Sequence, residues 1–202
     1  MRHLRSHGAV VSLNSPVSTA GPALAIALSK WTVASHAKNG TPIRIRPLRA
    51  DDREREIAFI NSLSEESRYF RMFTPQKYLP PHLVDQLMDI DGDRRMAFVA
   101  TVGVDTQERF IGISRYGGAE EPHTAELGIT VADDWLRQGI ATQLIEQLCR
   151  YAKSRGIARL VGLVLAQNTR MLALAHRMGF SSRHVDGGLI RIELDLDVKS
   201  NT

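Results

Sequence analysis

The sequence predicts an α/β fold, in which helices pack on the faces of a mixed β-sheet. Three features support this prediction. Several short runs are wholly apolar or alternate apolar and polar residues, as strands do. Residues 140–153 repeat apolar residues at helical spacing, and strand-like and helix-like segments follow one another along the chain. At 202 residues, the chain is long enough for one sizeable core.

The chain as far as residue 116 contains six predicted elements. Residues 43–48 alternate apolar and basic residues and form the first predicted strand. Pro47 places this strand at an edge of the sheet or ends it, because proline lacks an amide hydrogen. Asp51 or Asp52 is expected to cap the next helix, which runs towards Leu63. The remaining elements are a short helix within 63–73, a helix from Pro80 to Met88, and a strand pair at 96–102 and 109–116.

The second half alternates strands and helices. A predicted strand at 126–131 precedes the long helix, which Gly156 ends. The apolar run 160–165 predicts a buried strand, and a further helix follows it and closes at 178–180. The last predicted strand, 189–196, alternates apolar and charged residues, so that one of its faces is wet. The apolar face of the long helix consists of Ile140, Leu144, Ile145, Leu148 and Ala152.

The link between the strand at 126–131 and the long helix has the features of an anion site. It reads Leu136-Arg137-Gln138-Gly139-Ile140-Ala141. The first amide groups of a helix have no internal partner, and the helix dipole adds partial positive charge there. Gly139 would let a phosphate oxygen approach the backbone. A glycine before a helix can also simply mark the turn that precedes it. The residues of a P-loop and the three glycines of a dinucleotide fingerprint are absent.

This motif and a second segment together resemble the GNAT N-acetyltransferase superfamily. Gly139 and Ala141 match the fourth and sixth positions of its acetyl-CoA signature, whereas Leu136 departs from the Gln or Arg usual at the first. In the second segment, a buried strand is followed by Asn168, a helix and Gly179-Phe180. The order and spacing of the two segments make the resemblance specific.

The resemblance implies a GNAT-like mixed, mostly antiparallel sheet with helices on both faces. Two parallel strands, 126–131 and 159–165, would splay apart around the acyl-pantetheine arm of acetyl-CoA, the expected cosubstrate. Asn168 would contact that arm, although asparagine is also among the best helix N-caps. The residues implied to hold acetyl-CoA are Ile129, Thr130, Val131, Arg137, Gln138, Gly139, Ile140, Ala141, Thr142 and Asn168.

Glu126 is the candidate catalytic residue. The resemblance implies a glutamate base on this strand, and an amine acceptor must lose a proton before it attacks a thioester. A carboxylate on the wet face of a strand is the alternative interpretation. The backbone amide near Ile129 is the expected oxyanion donor. Ala175 stands where many GNAT enzymes carry the tyrosine that protonates the thiolate, and His123 is only a minor candidate for that task.

Within the superfamily, the sequence is more similar to the acetyltransferase domain of bacterial Pat-type protein lysine acetyltransferases. The similarity covers about residues 42–197 and includes 45–52, 63–71 and 164–168. The segment 64–72 would border the acceptor groove. Arg68 or Arg71 would contact the acceptor, unless this is simply a solvated helix face.

Charge is distributed unevenly along the chain. Residues 1–50 contain seven of the 26 basic residues and none of the 22 acidic ones, which leaves a balance of −3 for the rest. Nucleic-acid binding by the folded body is therefore not expected. We interpret residues 1–41 as a basic, disordered leader, 42–197 as the acetyltransferase domain and 198–202 as a tail. The composition of the leader also fits a transit peptide.

The remaining composition favours a cytoplasmic protein. A single cysteine, Cys149, excludes an internal disulfide and more readily serves packing than attack. No spacing of histidines or cysteines suggests a metal site. We therefore expect acetyl-CoA-dependent N-acetyl transfer to a protein lysine or small primary amine, with no metal. A non-catalytic acyl-CoA-sensing module and a nucleic-acid-associated protein that uses the leader are the alternatives.

Overall fold

The structure, a computed structural model, describes residues 22–73, 80–119 and 121–196. Eight strands form one sheet in the order β1-β2-β3-β4-β5-β6-β8-β7. Only β5 and β6 pair in parallel, and the other neighbours pair antiparallel. This confirms the predicted mixed, mostly antiparallel sheet. The strands are β1 Val33–His36, β2 Pro42–Pro47, β3 Met96–Val102, β4 Arg109–Gly118, β5 Thr124–Val131, β6 Arg159–Leu165, β7 Ser181–Val185 and β8 Leu189–Asp195.

Helices cover both faces of the sheet. They are α1 Pro22–Ser29, α2 Arg53–Ser62, α3 Glu65–Met72, α4 Pro81–Met88, α5 Ile140–Ser154 and α6 Thr169–Arg177. Two consecutive residues of β4 show the arrangement, because neighbours in a strand point to opposite faces. The Ser114 hydroxyl donates to the Leu144 carbonyl of α5, whereas the Arg115 guanidinium reaches Glu56 of α2 and the Leu87 carbonyl of α4.

The core lies mainly between α5 and the sheet. The five apolar residues predicted to share one face of the long helix are all fully buried. Apart from the adjacent pair Leu144 and Ile145, they fall three or four residues apart, so that one stripe of the helix contacts the strands. No helix within the described ranges is both long enough and apolar enough to cross a bilayer.

The folded part begins earlier than the predicted boundary at residue 42. Residues 33–36, which we assigned to the disordered leader, form β1 and pair with β2 from Val33↔Ile45 to His36↔Pro42. Consequently β2 is not an edge strand, although Pro47 does end it. Residues 1–21 and the predicted tail at 198–202 lie outside the described residues.

Asp52 stands at the expected N-cap position of α2, but the expected capping hydrogen bond is absent. Asp52 precedes α2 but makes no side-chain cap, because its buried carboxylate binds the buried guanidinium of Arg46 at 2.6 and 2.8 Å. Arg46 also donates to Glu108 at 2.7 Å. Burying an arginine is costly unless carboxylates match its charge and its hydrogen bonds are satisfied. These three side chains therefore join β2, the start of α2 and the start of β4.

We expect Glu108→Gln to lower the free energy of unfolding by about 1–3 kcal/mol at neutral pH, because a charge-assisted hydrogen bond is lost. The hydrogen bond from Arg46 lowers the pKa of Glu108 from 4.5 to about 2. A carboxylate whose pKa is lower in the folded state stabilises the fold at pH values above its unfolded-state pKa. That stabilisation is lost as the pH falls through the folded-state pKa. Urea unfolding between roughly pH 7 and pH 3 should show the two proteins converging on acidification. A difference that does not change with pH would contradict this assignment.

Candidate functional site

Strands β5 and β6 diverge from one another, as predicted. Their pairing is restricted to Thr124↔Arg159, Ala125↔Leu160 and Glu126↔Val161. Beyond this point β5 continues to Val131 paired only with β4, and β6 continues to Leu165 paired only with β8. The two strands therefore form a V, with Glu126 at its closed end.

Backbone groups on the inner edge of β5 face this V. The carbonyl oxygen of Leu127 points towards β6, because it lies 3.4 Å from the position that a side-chain carbon on Gly162 would take. The carbonyl oxygen of Thr130 points the other way, towards Gly112 of β4. Because backbone groups alternate edges along a strand, those of Ile129 and Val131 point into the V. The Thr130 backbone, by contrast, pairs with β4.

The first turn of α5 lies at the open end of the V and has the conformation expected of an anion site. Gly139 has φ +80° and directly precedes the helix, a left-handed conformation that glycine adopts without strain. Among the described residues, nothing accepts a hydrogen bond from the amides of Ile140, Ala141 or Thr142. The first turn contains no acidic residue, so the partial positive charge of the helix end is not neutralised there.

Lys38 lies beside this helix start, which the sequence did not predict. Its backbone amide donates to the Gln138 carbonyl at 3.1 Å, and the side chain of Gln143 donates to the His36 carbonyl at 3.1 Å. Two carbons of the exposed Lys38 side chain lie 3.6 Å from the position of a side-chain carbon on Gly139. The turn between β1 and β2 therefore brings a cation to the predicted phosphate site. Arg137, also exposed, precedes Gln138 with φ +64°.

Asn168 caps α6 at the other arm of the V. Its side-chain oxygen accepts a hydrogen bond from the Met171 amide at 3.1 Å. This confirms the capping interpretation and places Asn168 three residues after Leu165, where β6 ends. Contact with a ligand stays a prediction for this residue.

Glu126 is half-buried and lies on the face of β5 that looks towards α2, α3 and α4. It shares this face with Gly128 and Thr130, because alternate residues of a strand point the same way. No described residue forms an ion pair with the Glu126 carboxylate. It is therefore available to a ligand at the closed end of the V.

Of the two arginines predicted to border the acceptor groove, Arg71 faces β5. A side-chain carbon on Gly128 would lie 3.2 Å from the Arg71 guanidinium. Arg68 instead donates to the Leu63 carbonyl and so turns back towards its own helix. A glycine inside a strand often marks a close approach of this kind, but the sequence alone did not identify the partner.

Asp133 connects α3 to the loop after β5. Its carboxylate accepts hydrogen bonds from the Ser64 amide at 2.8 Å and from the Ser64 and Ser67 hydroxyls at 2.7 Å. Burial opposes ionisation, but these hydrogen bonds outweigh it and lower the pKa of Asp133. The helix that carries Arg71 is thereby held to the segment that leads into α5.

Neither position 175, nor the histidine next to it, nor the histidine before β5 provides a well-placed acid for the thiolate. Ala175 is only 2% exposed and packs in an apolar cluster with Val164 and Phe180. His176 is exposed on α6. His123 lies at the start of β5, where its ring is 3.2 Å from the Gly156 carbonyl, and so joins two loops.

Cys149 and metal ligation play no evident part in the site. Burial raises the pKa of the Cys149 thiol to about 11, so it is a poor nucleophile at neutral pH. The residue lines a cavity of about 460 Å³ between α5 and α6, which Thr142 also borders and Glu126 does not. Among the described residues, no three histidine, cysteine or carboxylate side chains lie together as metal ligands.

Comparison with known proteins matches this geometry to one family. Residues 58–180 match the model of the acetyltransferase (GNAT) family. Among curated proteins, Acetyltransferase PA5475 of Pseudomonas aeruginosa is 42% identical over 142 residues, which is 70% of this chain and 76% of that protein. Acetyltransferase Pat of Mycolicibacterium smegmatis is 27% identical over 79% of this chain, and the chain spans only 47% of that Pat.

Solved structures agree with the sequence comparison. The GNAT domain of S. lividans PAT has a TM-score of 0.76 at 30% identity, covering 83% of this chain and 98% of that one. YncA from Salmonella typhimurium, solved with its cofactor acetyl-CoA, has a TM-score of 0.62 over 79% of this chain and 97% of its own. At 16% identity it shows the shared fold alone.

These matches confirm the predicted similarity to Pat-type acetyltransferase domains. The family match, which covers more than half of the chain, includes the diverging parts of β5 and β6 and the whole of α5. The chain therefore belongs to the acetyltransferase (GNAT) family, whose members use acetyl-CoA.

Proposed function

We propose that this protein is an acetyl-CoA-dependent N-acetyltransferase in which an amine attacks the thioester directly. The observation that carries the proposal is the divergence of β5 and β6 after Glu126, with the free first turn of α5 at the open end. The V offers a groove for an extended acyl-pantetheine arm, and the helix start offers amides for a diphosphate. The acceptor is an amine, either of a protein lysine or of a small molecule.

In this proposal, the arm of acetyl-CoA lies along the inner edge of β5. The backbone groups of Ile129 and Val131 pair with the pantetheine amides as an added strand would. The diphosphate binds the amides of Ile140, Ala141 and Thr142. Cations contributed by Arg137 and Lys38 complement its charge, and Asn168 contacts the arm from the β6 side.

Glu126 is the proposed general base. An alkylammonium acceptor gives one proton to this carboxylate, the neutral nitrogen forms a bond with the thioester carbon, and the C–S bond then breaks. The second proton of the nitrogen leaves as the amide forms, and the thiolate of CoA takes up a proton to become the thiol. The Ile129 amide stabilises the oxyanion of the intermediate.

The thiolate requires no protein acid in this scheme. Ala175 supplies none, and a thiol with an ordinary pKa near 8.5 is a tolerable leaving group. Water or the proton held by Glu126 then completes the reaction. The absence of an acid at position 175 also favours the second candidate, a non-catalytic acyl-CoA sensor. Release of free thiol from acetyl-CoA that depends on an added amine separates an enzyme from a sensor.

We expect Glu126→Gln to lower kcat/KM for acetyl transfer by about 10- to 1,000-fold, because general-base assistance is lost. Affinity for acetyl-CoA, measured by calorimetry, should be unchanged, since the carboxylate is remote from the predicted diphosphate site. Glu146→Gln, on the exposed side of α5, is the matched control. Full turnover by the Glu126 variant across the pH range would exclude a base role.

Two substitutions of Gly139 separate backbone strain from charge. At φ +80° any other residue is strained, so Gly139→Ala should weaken CoA binding modestly. Gly139→Glu adds a carboxylate beside the phosphates, and we expect at least tenfold weaker binding than for the alanine variant. Calorimetry with CoA measures both affinities. Equal affinities for the two variants would argue against a diphosphate at this position.

Lys38→Met should weaken CoA binding about three- to tenfold, because a charge-assisted contact is lost while the apolar stem is kept. The loss should diminish at high salt, which screens exposed charges. Lys30→Met, an exposed residue outside the turn, is the control. An unchanged affinity at low salt would remove Lys38 from the site.

A further inference from the structure

Three alternate positions on one face of β5 indicate a role for this face beyond proton removal. Glu126, Gly128 and Thr130 share the face that looks towards α3. Glu126 forms the last pair between β5 and β6, and Gly128 and Thr130 lie beyond it. The middle position has no side chain of its own. The guanidinium of Arg71 occupies that space, with its Nη2 3.2 Å and its Cζ 3.3 Å from where a side-chain carbon on Gly128 would be.

Arg71 shares its neighbouring carboxylate, Glu56, with a second arginine. The buried Glu56 carboxylate binds Arg115 at 2.6 Å, and no described carboxylate forms an ion pair with Arg71. Burial and the neighbouring Arg115 lower the pKa of Arg71 to about 10, although Glu56 acts in the opposite direction, so Arg71 remains a cation at neutral pH. Two guanidinium groups that share one carboxylate leave an excess of positive charge at this face, which favours an arriving anion.

Thr130 offers a second polar group on the same face of β5. Its side chain is only 8% exposed, and its hydroxyl has no hydrogen-bond partner among the described residues. It points to the same face as Gly128, one alternate position further along the strand. Buried hydroxyls are nearly always paired, so an unpaired one that lies two residues along the same strand face from the Arg71 guanidinium indicates a polar ligand group between them.

We infer that the acceptor is an amino acid, whose carboxylate binds Arg71 and Thr130 while its amine meets Glu126. This inference rests on the proposed function and specifies its substrate class. Alternate positions on a strand are roughly 7 Å apart, a separation that an amine and a carboxylate of one small molecule span with their hydrogen bonds. An arginine suits this role because its planar fork binds carboxylates in a bidentate manner.

Matched acceptors test this inference. Thiol release from acetyl-CoA is measured with the common L-amino acids, β-alanine and γ-aminobutyrate, with the carboxamide of each active compound, and with a lysine peptide. The amine of a carboxamide is less basic and hence more often neutral, so chemistry alone favours the amide. We therefore expect kcat/KM for the acid to exceed that for its amide by at least tenfold.

Variants of Arg71 and its neighbours assign that preference to the predicted residues. Arg71→Gln should reduce the acid-to-amide ratio by about 10- to 100-fold, as expected for a hydrogen-bonded ion pair, and Arg71→Lys should keep part of it. Gly128→Ala should reduce the ratio as well, because the added carbon displaces the guanidinium. Thr130→Val preserves shape and should reduce the ratio about threefold or more. Arg94→Gln, at an exposed site outside the V, is the control.

The outcomes separate this inference from the proposed function. Calorimetry with CoA tests the cofactor site independently, and wild-type protein that binds no CoA would overturn both. Wild-type protein that binds CoA but prefers amides or the lysine peptide, or that acetylates no amino acid, would overturn the inference alone. Equal loss of turnover with acids and amides in all of the Arg71, Gly128 and Thr130 variants would assign these residues a structural role and also overturn it.

Discussion

The loss of pairing between β5 and β6 beyond Glu126 is the constraint on which the site depends. Had the two strands stayed paired, the backbone groups of Ile129 and Val131 would form hydrogen bonds with β6 and would not be open to a ligand. The opening does not require a ligand to hold it, since β4 pairs with β5 as far as Val131 and β8 pairs with β6 as far as Leu165. Each strand is fixed from its outer side, so the groove is preorganised, which reduces the cost of ordering on binding.

The electrostatics of α5 favour binding over stability. An acidic residue in the first turn would stabilise the helix, yet none is present, and the exposed cations Lys38 and Arg137 lie nearby instead. Charges of this sign near a helix start are unfavourable for the chain alone. Such local conflicts are expected at functional sites. The buried cluster of Arg46, Asp52 and Glu108 shows the opposite case, in which every charge is matched within the fold.

Strong periodicity explains which elements could be predicted from the sequence. The helical spacing of apolar residues in α5 predicts a helix, and the apolar run of β6 predicts a buried strand. Both elements are present. Strands β1 and β7 lie at the two edges of the sheet and are largely exposed, so their sequences lack the alternation that marks a half-buried strand. The contact between Lys38 and Gly139 joins residues about a hundred positions apart. The pairing of Asp52 with Arg46 likewise displaced the expected cap, since a buried guanidinium needs that carboxylate more than the helix start does.

Gly128 shows how far local sequence reasoning could reach in the site. A glycine in the middle of a strand indicates close approach, but only the packing of α3 against β5 identifies Arg71 as the neighbour. Asp133 fixes that helix to the loop that runs from β5 to the first turn of α5. The segment that would meet the acceptor and the segment that would hold the cofactor are therefore joined through one carboxylate. A shift of either on binding must be transmitted to the other, because the hydrogen bonds at Asp133 resist their separation.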